Sequence, residues 1–127
     1  MLKVVAAYAD TWNTSVTVGM GRRASDLSPN EAQENIRRRN AMLDDACAAI
    51  GRDPGGVRRS LLAGGGSSPE NPWASVEAFQ DFVGRYHEAG VDEFLFYYPS
   101  RAELAPGHFE RIAREVIPAL KRGTVAA

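Results

Sequence analysis

Apolar positions along the chain change period several times, and each change marks an element. Leu2, Val5, Ala6 and Ala9 recur at helical spacing with no capping residue before them, so the first segment reads as a helix entered midway. Asp10 to Val18 is rich in β-branched and aromatic residues. Asp10-Thr11-Trp12-Asn13-Thr14 predicts a short buried strand, and an irregular loop follows over 19–27. Ser28-Pro29-Asn30-Glu31 is a helix start: Ser28 accepts from orphan amides, Pro29 suits the first position and Glu31 bonds back to the cap. The long helix it opens turns Ala32, Ile36, Leu43, Cys47 and Ile50 inward, faces its arginine run to water, and ends at Gly51 and Pro54.

Val57 to Ala63 predicts a second strand, running into Gly64-Gly65-Gly66-Ser67-Ser68 and an irregular loop over 64–74. Ser75 caps the next helix, whose stripe is Val76, Phe79, Val83 and Tyr86 and whose stop is Gly90. Glu93 to Tyr98 is apolar on both alternating faces, the pattern of a strand covered on two sides. A final helix turns Phe109, Ile112, Val116, Ile117 and Leu120 inward; Pro118 disturbs its last turn, and the tail frays from Gly123.

This alternation predicts a single α/β domain over 1–127, with about three parallel strands joined by crossover helices. Three strands leave two open edges, and a strand as apolar as Phe94 to Tyr98 needs cover on both faces, so the expectation is an arc of a larger sheet. A (βα)8 barrel takes roughly 250 residues and eight strands, which makes this chain a partial TIM barrel whose N-terminal part is missing.

Composition narrows the function. The formal net charge is -1, from 15 basic and 16 acidic residues mixed along 127 positions, which gives no field for nucleic acid or an anionic membrane. One cysteine, Cys47, excludes an intramolecular disulfide. The longest apolar run, Val4 to Ala9, is too short to cross a bilayer and lacks the pattern of a signal peptide, so a cytoplasmic location is expected. His87 and His108 have no second ligand at metal spacing, and no metal is expected.

Leu2-Lys3-Val4-Val5-Ala6-Ala7-Tyr8-Ala9-Asp10-Thr11-Trp12-Asn13 resembles the segment of luciferase-like monooxygenases in which helix 5 of the barrel feeds strand 6. Arg39 to Asp44 and Ala49 to Pro54 are similar to the next helix and its exit, and Val57 to Ala63 falls where strand 7 belongs. Ala89-Gly90-Val91-Asp92-Glu93-Phe94-Leu95-Phe96-Tyr97 resembles the approach to strand 8, and Phe109 to Ala113 with Val116 to Leu120 the closing helix. The resemblance implies barrel strands 6 to 8 of an oxidoreductase that uses FMN with oxygen, or the deazaflavin F420 as a hydride carrier, on a small organic substrate. It also implies that the catalytic residues of the first strands, and the glycine-rich turn after strand 5, lie outside this chain. Catalytic residues are therefore unassigned.

Barrel chemistry sits at the C-terminal strand ends, which points to three places for the cofactor. Trp12 offers an indole to wall a planar ring and Asn13 an amide to bond it; the alternative is a core tryptophan and a turn asparagine. Gly65 and Ser67 offer amides and a hydroxyl to a phosphate, against a loop with no ligand. Tyr98 and Arg101 follow the last strand, where the guanidinium can pair with a phosphate or carboxylate or simply be solvated. A competing expectation is a remnant or oligomerising partner that pairs its strand edges with another copy or chain.

Overall fold

The computed structural model describes residues 1–17, 21–63, 68–104 and 107–123. A helix over Leu2–Tyr8 (α1) leads directly into a strand over Thr11–Thr14 (β1). Within the expected loop, Ala24–Asp26 forms a single 3-10 turn, with Ala24 and Leu27 buried.

The helix over Pro29–Ala49 (α2) starts as its sequence requires. The Ser28 hydroxyl accepts from the Glu31 amide at 3.1 Å, and the Glu31 carboxylate accepts from the Ser28 amide at 3.0 Å. Gly51 takes φ +73° just past its end, a conformation that glycine enters without Cβ strain. Ala32, Ile36, Leu43 and Cys47 are buried as expected, whereas Ile50 is exposed because it is the C-cap, where the helical face has already been left. Asn35 and Asn40 are also buried on α2. Their amides donate to the Val16 and Ala89 carbonyls, tying the loop after β1 and the end of the following helix to α2.

The second strand covers Arg58–Ala63 (β2) and the third Glu93–Phe96 (β3); between them a helix runs over Val76–Glu88 (α3), capped by Ser75, whose hydroxyl accepts from the Ala78 amide at 2.9 Å. Phe79, Phe82 and Tyr86 form the buried side of α3, a wider face than the expected stripe because Phe82 lies three residues from one and four from the other. Gly90 ends the turn at φ +100°. A Cβ there would come within 3.0 Å of Asn40 Nδ2, so glycine is required by conformation and by space.

The three strands form one parallel sheet in the order β1-β2-β3. Thr14 lies beside Leu61 and Leu61 beside Phe94, while Ala63 lies beside Phe96, so these residues share a face with Trp12 and Arg59. That face carries the core. Leu61, Ala63, Phe94 and Phe96 pack on Ile36, Phe82 and Tyr86, and Trp12 packs with Ala6, Leu43, Cys47 and Val57. The alternate residues, Thr11, Asn13, Arg58, Ser60, Glu93 and Leu95, share the second face, and no buried cluster among the described residues includes any of them.

The last strand is the clearest departure from expectation. It ends at Phe96, and Leu95 is 46% exposed, because helices cover only one of the two faces its apolar residues occupy. After it come a short helix over Arg101–Leu104 (α4) and a helical run: α-helical over Phe109–Arg111 (α5), π over Ile112–Val116 and α-helical again over Ile117–Lys121 (α6). The Ile117 amide bonds to the Ile112 carbonyl, five residues back. Pro118 has no amide and its ring crowds the carbonyl of the preceding turn, so the expected disturbance appears as a widened π turn upstream. Among the described residues no helix is long and apolar enough to cross a membrane.

Candidate functional site

Parallel strands bring their C-terminal ends to one end of the sheet, here Thr14, Ala63 and Phe96. The sequence candidates separate on this frame. Trp12 and Asn13 are neighbours in a strand, so they point to opposite faces. Trp12 is 6% exposed on the helix side, with the Arg39 guanidinium 5.3 Å from its ring centroid. Burial, with the neighbouring Arg38 charge, lowers the Arg39 pKa from its usual value. Trp12 is thus a core residue closed off from the open face.

Asn13 is exposed on the open face, within β1 and not in a turn, and its Nδ2 donates to Ser60 Oγ at 2.9 Å. One turn of the pleat nearer the N-terminal end, Arg58 and Glu93 form an ion pair at 3.4 Å. The open face is therefore polar toward its N-terminal end, and Leu62 and Leu95, which pair across β2 and β3, make it apolar farther on.

Tyr98 is 74% exposed and meets Phe109 edge-on at 5.2 Å between centroids. Ser100 and Glu103 exchange backbone and side-chain bonds at the start of α4, which sets Arg101 exposed on its first turn. Tyr97 continues the β3 pairing through its amide, bonded to the Ala63 carbonyl at 3.1 Å. Asn13 thus belongs to the open face, whereas Tyr98 and Arg101 follow the C-terminal end of β3, exposed, with Tyr98 against the helix-side Phe109. Gly65 and Ser67 lie outside the described residues.

On the helix side lies an aromatic cluster that holds the C-terminal end together. Trp73 is buried 5.2 Å from Phe79, 5.4 Å from Phe96 and 5.3 Å from Phe109, centroid to centroid. Trp73 thus anchors the chain just ahead of the Ser75 cap of α3.

The opposite end of the sheet has the described clefts. One, of about 340 Å³, is lined by Arg37, Asn40, Asp44, Arg59, Glu88 and Asp92 among others. A second, of about 550 Å³, is lined by Asp10, Thr11, Gly55, Gly56, Arg58 and Asp92. Arg59, a buried arginine that reading the sequence missed, dominates this end. It donates to the Val57, Asn40 and Pro54 carbonyls and pairs with Asp44 at 2.7 Å, so each of its three nitrogens is engaged in structure. The signal was its spacing of two from Leu61 and four from Ala63, which fixes it to the buried face. Among the described residues no group of three or more His, Cys, Asp or Glu is placed to hold a metal.

No known family, curated protein or solved structure matches the chain. What the fold defines is a mixed α/β protein with a three-stranded parallel sheet, covered by helices on one face.

Proposed function

We propose that this chain is the C-terminal segment of a (βα)8-barrel oxidoreductase or monooxygenase of the luciferase-like type, working with F420 or FMN on a small organic substrate. The observation that carries the reading is the one-sided sheet. Parallel strands with their core on one face and a mixed polar and apolar second face are what an arc of a barrel consists of, the second face being the wall of its interior. Asn13 on that wall supplies an amide, and the exposed Tyr98 and Arg101 in the segment after β3 an aromatic ring and a cation, to a flat, anionic cofactor.

These residues make one flank of such a site and not an enclosure. Trp12 is turned to the helix side, and both described clefts open at the other end of the strands. Further strands are needed to close the site, and turnover by this chain alone is not expected. Fluorescence-anisotropy titration of FMN, and separately of F420, tests the reading. The expected result is weak, saturable one-to-one binding of one of them, reduced about tenfold by Arg101→Ala, the loss of one charge-assisted bond. A folded chain that binds neither overturns the cofactor reading.

A second reading is a non-catalytic chain that oligomerises through its exposed strand edges. The observation favouring it is that β1, an edge strand, contains neither charge nor proline, the usual guards of a free edge.

A further inference from the structure

We infer that Asn35 is a positioning residue for the C-terminal end of β1: through the Val16 carbonyl it fixes the segment by which the chain leaves that strand just beyond Asn13. The inference rests on the cofactor reading above and adds to it a residue that touches no ligand.

Asn35 is 2% exposed on a face of α2 that it shares with Ala32 and Ile36. An amide so deep is costly unless both its ends are bonded, and both are. Its Oδ1 accepts from the Arg38 guanidinium at 3.1 Å, about one helical turn further on. A guanidinium can only donate, so this bond fixes which end of the amide is the oxygen and turns Nδ2 to the Val16 carbonyl, to which it donates. Val16 stands two residues past Thr14, where the pairing of β1 with β2 ends. Its side chain is fully buried in the cluster that contains Leu27, Ala32 and Ile36. Beyond the last ladder bond, then, the chain is gripped by side chain and carbonyl together.

Asn40 supplies the comparison. It is buried on the same helix five residues on, about 7.5 Å along the axis, and donates to the Ala89 carbonyl at 2.9 Å. Helix α2 carries the chain from the C-terminal end of β1 back to the start of β2. The two asparagines therefore make the same kind of bond at opposite ends of the sheet, Asn35 where the chain leaves β1 and Asn40 where it approaches β3. Asparagines with a purely structural role would act alike at either end. Only Asn35 stands at the end where the cofactor is proposed to bind.

The test sets Asn35→Asp beside Asn40→Asp, each of which keeps the shape of the side chain and removes its donor. Wild type and variants are titrated with FMN and with F420 by fluorescence anisotropy, and amide exchange of the free chains is followed. Asn35→Asp should speed exchange at residues 15–17 and weaken binding of the cofactor that the wild type takes by about fivefold, whereas Asn40→Asp, destabilised to a similar extent in urea, should stay within about twofold. Arg38→Ala, at an exposed position, frees Asn35 Oδ1 and should weaken binding in the same direction by less than Asn35→Asp does. Should a buried carboxylate prevent folding, alanine replaces aspartate at both positions with the same expectations. Equal loss of affinity in the Asn35 and Asn40 variants, or faster exchange at 15–17 with unchanged affinity, overturns the positioning role and leaves the cofactor reading standing. A folded wild type that binds neither cofactor overturns both.

Discussion

At the N-terminal end of the strands the protein is knitted together by charge and hydrogen bonds; at the C-terminal end it is braced by aromatic rings underneath and left open above. Arg59 shows the first design. Buried next to Leu61 on the helix face, it crosslinks β2 to α2 and to the turn before β2 through all three of its nitrogens. Trp73 shows the second, joining Phe79, Phe96 and Phe109, while Tyr98 and Arg101 in the segment after β3 stand in water. The contrast teaches that a cleft is not by itself a site: the cavities lie where side chains are committed to stability, and the uncommitted groups lie where the surface is open.

The contrast can be broken by mutation, and the effects should fall in a definite order. Trp73→Ala removes the centre of the aromatic brace and should cost about 4 kcal/mol in urea unfolding; a loss within about 0.5 kcal/mol would mean the cluster is dispensable. Arg59→Leu should cost about 3 kcal/mol, since three backbone carbonyls lose their donor together. Asp44→Asn should cost much less than Arg59→Leu, because the carboxylate is half in solvent.

Tyr86 gives a smaller effect, visible only in alkali. Its hydroxyl is buried without a hydrogen-bond partner among the described residues, and burial above all, then the Glu70 carboxylate, raises its pKa, against the opposing influence of Arg85. The folded state therefore holds this proton to higher pH than the unfolded chain, which releases it near pH 10 or about there. Stability owed to Tyr86 is constant below that pH and falls above it, where the unfolded state binds fewer protons. Tyr86→Phe should leave stability at pH 7 within about 0.5 kcal/mol and flatten the alkaline decline. Smallest of all, Tyr98→Ala with Arg101→Ala should change stability by less than about 0.5 kcal/mol, as expected of exposed residues free for another role.

Much of this architecture is legible from local chemistry. Ser28 with Glu31, Ser75, Gly51 and Gly90 mark ends that the structure respects, because caps and left-handed glycines depend on a few neighbouring residues. Features that depend on distant partners are not legible in the same way. Phe94, Leu95, Phe96 and Tyr97 read as a strand covered twice because a pattern reports which side chains are apolar, not whether a second layer exists to cover them. Ile50 reads as inward because its spacing continues the stripe beyond the point where the helix stops. Trp12 and Asn13 look like one site in sequence and are two surfaces in space, an outcome that strand alternation alone would have foretold. Arg59 was hidden by its residue type, and its period betrayed it.

The most direct test is hydrogen–deuterium exchange of the folded chain with and without saturating FMN or F420. A site at the C-terminal strand ends predicts new protection in residues 14–17 and 97–104, with residues 54–59 and 90–92 unchanged. Protection confined to residues 54–59 and 90–92 would move the site to the cleft end and contradict the reading, as would a folded chain whose exchange does not change at all.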